Sequence, residues 1–240
     1  MDNNQPPFYG NQPGTIARPL AMTDEATFFS KIYFWMCGAL AVTAVTGVIL
    51  SRSAAWLGFL INTSFAWVGI LILQVGIVLG INFLLNKVSS AVIKGLFLLF
   101  AVSMGFTISI VLLVYSSAVI SKAFFCTAGI YGAMAVYGMV TKKSLQAWGS
   151  FLFMGLVGLI IAMVVNLILG SALMDFVICV VGVIVFAGLT AYDHQKLRVL
   201  CAGGFPDGET EAKTITMGAL ELYLDFINIF LFLVRLFGRE

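Results

Sequence analysis

The chain has 240 residues, of which 61% are hydrophobic and only 10% are charged, and its net charge is +2. A soluble domain carries roughly 25% charged residues and about 45–50% apolar ones. The composition therefore excludes a soluble globular protein and predicts a multi-pass membrane protein whose main partner is the lipid bilayer. The small net charge argues against a nucleic-acid partner. The single histidine, His194, excludes a haem or zinc site built from several histidines, so no cofactor is expected, and we expect its side chain to be solvated.

Residues 1–28 are rich in Asn, Gln, Pro and Gly. They contain too little apolar surface to form a core, which predicts a disordered polar tail. The tail lacks the basic start and the short apolar core of a signal peptide, so the first apolar segment is predicted to be retained. The remaining residues, 29–240, are predicted to form one transmembrane domain.

Seven apolar segments follow the tail, each close to the roughly 20 residues that a helix needs to cross the hydrocarbon layer. The runs are continuous rather than alternating, which predicts an all-α membrane protein and not a β-barrel. Most connections are short, so consecutive helices should pack antiparallel. Only residues 193–218, which contain the turn-rich stretch GGFPDGETE, are predicted to form a long polar loop. The predicted spans are Ile32–Leu50, Phe65–Leu85, Ala91–Leu113, Val119–Val140, Phe151–Leu169, Met174–Tyr192 and Ala219–Leu236.

The distribution of basic residues predicts the orientation, because Lys and Arg concentrate on the cytoplasmic side of membrane proteins. When the loops are assigned alternately to two sides, nine of the 13 basic residues fall on the side of the N-terminus and four on the other. The N-terminus is therefore predicted to be cytoplasmic, and seven crossings place the C-terminus outside. The nine are Arg18, Lys31, Lys87, Lys94, Lys142, Lys143, Lys196, Arg198 and Lys213, and the four are Arg52, Lys122, Arg235 and Arg239.

Small residues in the first six segments predict close helix packing, since they let membrane helices approach each other. Gly76 and Gly80 in the second segment have the GxxxG spacing of such contacts.

Acidic residues inside apolar segments are costly and usually functional. Asp175 begins the sixth segment, where the helix dipole stabilises an acid, so a capping role is sufficient for it. Asp193 ends the same segment, where the dipole disfavours an acid, and it therefore needs either solvent or a partner. Asp225 lies about 9 Å inside the seventh segment between apolar neighbours and is the strongest functional candidate.

The seventh segment carries a narrow polar stripe, because helical spacing places Glu221, Asp225, Asn228 and Arg235 near one face. Such a helix is expected in the centre of a bundle, with its polar stripe lining a cavity. The alternative is a structural polar cluster whose groups are satisfied by hydrogen bonds.

Asp193 and Asp225 are predicted to lie at similar depth on consecutive antiparallel helices. If the two side chains face each other, both cannot be ionised cheaply, and the pair would share a proton over some pH range. The protonated pair would hold the helices together by a hydrogen bond, and the deprotonated pair would repel and open a path. The two carboxylates also suit a hard divalent cation such as Ca²⁺, so the pair is a candidate Ca²⁺ site.

Two motifs resemble the Bax inhibitor-1 family, also called the transmembrane Bax inhibitor motif family, and in particular its bacterial branch. They are FAGLTAYDHQKL at 186–197 and ELYLDFINIFLFLVRLFG at 221–238. The resemblance implies six helices wrapped around a central C-terminal helix, in the bacterial inner membrane. It also implies a pH-sensitive Ca²⁺ leak whose sensing pair of aspartates falls on Asp193 and Asp225.

Two positions depart from the pattern of that family. Gln74, in ILQVG, stands where bacterial relatives carry an acid, and the loss of this acid would weaken the attraction of the pore for cations. A basic residue near the cytoplasmic end of the second helix also partners the aspartates in the family, and the nearest candidate here is Lys87. Gln74 and Lys87 therefore join Glu221, Asn228 and Arg235 as candidate pore or counter-charge residues.

The sequence thus predicts a pH-sensitive Ca²⁺ leak channel or cation/proton exchanger. The alternative is a non-transporting regulator that binds other membrane proteins, such as a membrane protease or a stress-response partner. An intramembrane enzyme is not expected, because neither aspartate has a GxGD-like context and His194 is the only histidine.

Overall fold

The computed structural model describes residues 23–63 and 66–239, and within these residues the chain is entirely α-helical, without strands. The first helix begins at Glu25, where Asp24 accepts a hydrogen bond from the backbone N–H of Thr27 at 3.2 Å. The predicted tail therefore ends a few residues earlier than expected, and residues 1–22 lie outside the described residues. The helices are α1 Glu25–Ser51, α2 Ala54–Asn62, α3 Ala66–Leu84, α4 Ser90–Val114, α5 Ser117–Val140, α6 Gln146–Leu169, α7 Ala172–Ala202 and α8 Gly208–Phe237.

Each of the seven predicted segments corresponds to one helix, so the prediction of an all-helical multi-pass protein is confirmed. Six helices, namely α1 and α4 to α8, are long and apolar enough to cross a membrane, and Val68–Leu84 of α3 is a shorter apolar helix. The sequence did not predict α2, which has nine residues, none of them buried. Apolar side chains that remain exposed, such as Phe153 and Ile168 on α6, are suited to contact with lipid.

The predicted long polar loop at 193–218 is wrong, because both flanking helices continue into it. α7 extends to Ala202 and α8 begins at Gly208, which leaves residues 203–207 as the connection. The extensions are held by apolar burial, since Leu197, Cys201 and Ile215 all belong to the main core cluster. Gly204, at φ 71°, occupies the left-handed conformation that favours glycine and lets the chain turn.

α8 is the most buried helix, with 72% of its most apolar stretch inside the protein, whereas the corresponding value for α6 is 11%. α8 packs directly against α7, α1, α5 and α4. α3 packs on α4, and α6 packs on α7, so these two helices lie in outer positions. The family resemblance implied six helices around α8, but four form its main direct contacts.

Two hydrogen-bonded pairs show that α1 and α8 are parallel. Lys31 Nζ donates to Glu211 Oε1 at 2.9 Å, and the hydroxyl groups of Thr43 and Tyr223 lie 2.7 Å apart. The partners of both pairs are 180 residues apart in sequence, so the two helices run in the same direction. The start of α8 therefore lies at the same end of the bundle as the start of α1.

Close helix packing occurs at several small residues of the first six segments, as predicted, but not at the GxxxG pair. A Cβ atom at Gly138 would overlap the backbone of Ala191, so α5 and α7 are in backbone contact there. A Cβ atom at Gly182 would lie 2.6 Å from the ring of Phe232 on α8. Around Gly76 and Gly80 no heavy atom of a described residue would lie within 4 Å of an added Cβ, so the expected close contact is not made there.

Candidate functional site

Asp193 lies inside α7, nine residues before the helix ends at Ala202. The expectation that it ends its helix was therefore wrong, and the argument from the helix dipole does not apply to it. Asp193 is half-buried, and the next turn of α7 carries the buried Leu197. Asp193 therefore needs a partner because it lies inside the bundle.

The structure brings Asp193 and Asp225 together. Their carboxyl groups lie close enough to interact, and the side chain of Thr190 lies beside that of Asp225. Asp225 is only 3% exposed, and its Oδ2 atom is buried without a hydrogen-bond partner in the described part of the chain. Since two ionised carboxylates offer only acceptors, a hydrogen bond between them requires one shared proton.

A second charged pair lies beside the aspartates. Lys196 Nζ donates to Glu221 Oε1 at 2.7 Å, which joins α7 to α8 one helical turn before Asp225. Lys196 also lies three residues after Asp193, so it shares a helix face with that residue. Sequence reasoning missed Lys196 because it assigned the residue to a loop. The three-residue spacing from Asp193 would have predicted that the two side chains share a face, but only if the helix were known to continue through Lys196.

The remaining residues of the predicted polar stripe do not join this site. Asn228 Nδ2 donates to the carbonyl oxygen of Leu224 at 2.8 Å and is thereby satisfied within its own helix. Arg235 lies about 15 Å along α8 from Asp225 and pairs with Asp175 at the opposite end of α7. The stripe is thus divided between two ends of the bundle.

Gln74 and Lys87 also lie apart from the aspartates. Gln74 is buried between α3 and α4, where its Nε2 atom donates to the Ser103 carbonyl oxygen at 3.1 Å and to Thr107 Oγ1 at 2.8 Å. Lys87 is exposed, with its Nζ atom 3.9 Å from the centre of the Phe83 ring. Neither residue has a described hydrogen bond or ion pair with either aspartate.

Asp175 has more partners than a capping role needs. Ser171 is the N-cap of α7, and its hydroxyl accepts from the N–H of Met174 at 3.3 Å. Asp175 lies in the first turn and accepts hydrogen bonds from both Arg235 and Arg239.

His194 is fully buried, so the expectation of a solvated side chain was wrong. Its Nδ1 atom lies 2.7 Å from the Thr190 carbonyl oxygen, and its Nε2 atom lies 2.9 Å from the Tyr33 hydroxyl. Because a carbonyl oxygen only accepts, Nδ1 carries a proton, and in the neutral ring Nε2 accepts from Tyr33. The ring also stacks on Phe29 of α1. His194 therefore connects α7 to α1.

The described residues contain no group of three or more His, Cys, Asp or Glu side chains close enough to hold a metal ion. Ca²⁺ takes six to eight oxygen ligands, and the aspartate pair supplies too few of them for a resident site.

Outside the spans, Asp207 in the connection between α7 and α8 has a pKa below its usual value. The cause is the hydrogen bond that its carboxylate accepts from the backbone N–H of Thr210 at 2.7 Å, which favours the charged form. This carboxylate is the N-cap of α8 and fixes the point at which the helix begins.

Together, the helical bundle and the buried carboxyl pair define a multi-pass α-helical membrane protein with ionisable groups on its central helix. The chain matches the family described as "Inhibitor of apoptosis-promoting Bax1" over residues 25–240 and belongs to this Bax inhibitor-1 family. The predicted resemblance is thereby confirmed.

Bacterial relatives match over most of their length. The inner membrane protein YbhL of Escherichia coli is 39% identical over 215 residues, which cover 89% of this chain and 92% of that protein. A protein of Deinococcus radiodurans is 38% identical over 223 residues, with coverage of 90% and 95%. A protein of Borreliella burgdorferi is 36% identical over 213 residues, with coverage of 89% and 92%.

Proposed function

We propose that this protein is a pH-sensitive Ca²⁺ leak channel, or a cation/proton exchanger, of the bacterial inner membrane, gated by Asp193 and Asp225. The observation that carries the proposal is the closeness of these two carboxyl groups, one of which has a buried oxygen with no hydrogen-bond donor among the described residues. Ionisable residues within membrane helices are energetically costly, so those that occur there usually have a function.

In the proposed closed state, a proton shared by the two aspartates stabilises the contact between α7 and α8. In the protonated state one carboxyl group donates to the other, and this hydrogen bond holds α7 against α8. When the proton leaves to water, two unit charges about 4 Å apart at an effective dielectric constant of 20 repel by about 4 kcal/mol. This repulsion exceeds the roughly 1 kcal/mol that a typical hydrogen bond contributes, so α7 and α8 separate and a cation path opens.

Three carboxylates, two in the middle of α8 and one on α7, supply the attraction for a cation. Glu221, held by Lys196, lies one helical turn before Asp225 on α8. The neutral Gln74 adds no charge from α3, so selection of a divalent cation depends on Glu221, Asp193 and Asp225 in this chain.

The proposed orientation places the N-terminus in the cytoplasm and the C-terminus outside. It is supported by the nine-to-four distribution of basic residues. The parallel packing of α1 and α8 requires an odd number of crossings, which agrees with seven if α3 is also a span. Because α8 begins at Gly208 rather than at Ala219, Asp225 lies about 25 Å along the helix from its cytoplasmic start, near the middle of α8 and deeper than the sequence predicted.

The test is Ca²⁺ entry into proteoliposomes that contain a Ca²⁺-sensitive dye, measured at several pH values from about pH 5 to about pH 8, because a coupled pair of carboxyl groups releases its protons in two steps that belong to the pair. We expect the flux of the wild type to rise with pH. Asp225→Asn should remain slow at every pH, because an amide donates to Asp193 whether or not protons are available.

Asp207→Asn is the matched control, because it makes the same chemical change outside the spans and asparagine remains a good N-cap. It should retain the pH dependence of the wild type. Absence of flux in the wild type, or equal flux in wild type and Asp225→Asn at all pH values, would exclude the proposal.

A second candidate is a non-transporting regulator that binds another membrane protein, such as a protease or a stress-response partner. The neutral Gln74 and the lack of a metal-binding cluster among the described residues favour it. Neither candidate is an enzyme. A regulator would give no Ca²⁺ flux and would co-purify with a partner at a fixed stoichiometry that deletion of residues 1–22 removes.

A further inference from the structure

A cavity of about 600 Å³ lies at the end of the bundle where α7 begins and α8 ends, away from the aspartate pair. Its volume falls within the range of roughly 300–1,000 Å³ that is usual for small-ligand sites. Its walls include Tyr115 at the end of α4, Ala172 and Asp175 on α7, and Arg235 and Arg239 on α8.

The charges in this cavity do not balance. The two guanidinium groups both donate to the single carboxylate of Asp175, which leaves a surplus of one positive charge among the lining residues. Arg239 Nη1 also donates to the Ala172 carbonyl oxygen at 2.7 Å, which holds this side chain across the start of α7. The side chains of Arg235 and Arg239 are 38% and 29% exposed, so both are accessible from the cavity.

The guanidinium groups have more donors than Asp175 uses. A guanidinium offers five N–H donors in a planar fork that matches a carboxylate or a phosphate. Asp175 takes one described donor from each arginine, so further donors remain for a second anion. The first turn of α7, beginning at Ala172, forms part of the wall and contributes the positive end of a helix dipole.

We propose that this cavity binds a phosphate group, held between Arg235 and Arg239 in competition with the Asp175 carboxylate. The position favours the phosphate of an anionic phospholipid, because the cavity lies at the ends of apolar spans and Phe176 beside it is 44% exposed. Basic pockets between membrane helices are suited to such headgroups. The site is separate from the aspartate pair, and it does not depend on the proposed transport function.

The test measures retention of phosphatidylglycerol by the full chain in detergent, using native mass spectrometry, with phosphatidylcholine as the zwitterionic comparison. Arg239→Gln should weaken retention of phosphatidylglycerol about tenfold, because it removes one charge-assisted contact. Arg52→Gln is the matched control, since Arg52 is exposed at the end of α1, on the same side of the bundle and outside the cavity.

Asp175→Asn supplies a second test with the opposite sign. Removal of the competing carboxylate should strengthen retention by a similar factor, which a purely structural ion pair would not do. Inorganic phosphate, added as a competitor, distinguishes the two sources of the phosphate group. Displacement of the lipid by millimolar phosphate would identify a site that also takes soluble phosphate, and resistance to it would identify a lipid site.

Equal loss of retention in Arg52→Gln and Arg239→Gln would overturn the proposal, because it would indicate general surface attraction. Weaker retention in Asp175→Asn would also overturn it. So would equal retention of phosphatidylglycerol and phosphatidylcholine by the wild type, since a phosphate shielded by choline should bind less well to a cavity with surplus positive charge.

Discussion

The carboxyl group of Asp193 on α7 lies close to that of Asp225 on α8, and Oδ2 of Asp225 has no hydrogen-bond partner in the described part of the chain. Stability should therefore depend on the shared proton. Asp193→Asn replaces that proton with a permanent amide donor, so we expect the variant to be more stable than the wild type at about pH 8, by about 1 kcal/mol, and to lose this advantage at about pH 5. Thermal unfolding in detergent at both pH values measures the difference. A variant that is less stable at the higher pH would contradict the shared proton.

The buried contact between α1 and α8 predicts an order of stability for two substitutions. Thr43 Oγ1 donates to the Ala101 carbonyl oxygen at 2.8 Å, so Tyr223 must donate to Thr43. Tyr223→Phe removes only that second bond and should cost about 1 kcal/mol. Thr43→Val leaves the buried Tyr223 hydroxyl unsatisfied, while the Ala101 carbonyl keeps its bond within α4, and it should cost more, about 2–3 kcal/mol.

Denaturation of the two variants in parallel measures this order. If Tyr223→Phe were the more damaging of the two, the assigned direction of the hydrogen bond would be wrong. The double variant should be more stable than Thr43→Val alone, because Tyr223→Phe removes the hydroxyl that Thr43→Val leaves buried and unsatisfied.

Two glycines on α5 should respond to alanine in opposite ways. A Cβ atom at Gly138 would overlap the backbone of Ala191, which cannot move without displacing α7 close to Asp193. Gly138→Ala should therefore cost about 1–3 kcal/mol or more. At Gly132 no described atom lies within 4 Å of an added Cβ, so Gly132→Ala should raise helix stability by up to about 1 kcal/mol. Thermal unfolding of both variants is the measurement, and equal effects would contradict the close contact.

The sequence predicted the long apolar helices well, because a run of about 20 apolar residues has few alternatives in a membrane. The prediction failed where a helix continues through a stretch that is rich in polar residues. The stretch GGFPDGETE was interpreted as the centre of a long loop, although Leu197 and Ile215 on either side are buried in the core. Only five residues, 203–207, are needed for the turn once Gly204 takes a positive φ. The extent of the two helices is set by apolar contacts with α1, which local composition does not reveal.

The assignment of residues 193–218 to a loop also determined which site residues were predicted. Asp193 and Asp225 were identified from their position in apolar segments, and the structure places them close together. Lys196 and His194 were missed or misjudged because they were assigned to solvent, whereas α7 carries them into the bundle. The partner of Arg235 could not be predicted from spacing along α8, since Asp175 lies on another helix, 60 residues away in sequence.

The apolar half of α8 beyond the aspartates should act as a barrier to ions. Between Asp225 and Arg235, about 15 Å of helix is buried in an apolar cluster. Phe232 lies in the space left by Gly182 and beside the ring of Phe186, with ring centres 6.0 Å apart. Apolar constrictions close a pore by excluding water, so Phe232→Ala should raise Ca²⁺ flux at low pH, where the proposed gating would keep the aspartate pair closed.

Phe153→Ala is the control for this prediction, because the same truncation falls on an exposed position of α6. Phe232→Ala leaves a cavity and should also cost about 3–5 kcal/mol of stability, so flux must be measured on protein that elutes as a folded species before reconstitution. A folded Phe232→Ala protein with the flux and pH dependence of the wild type would show that the barrier lies elsewhere along α8. An increase confined to high pH would mean that Phe232 acts only after the aspartate pair has opened, because removal of the barrier alone would then be insufficient to pass an ion.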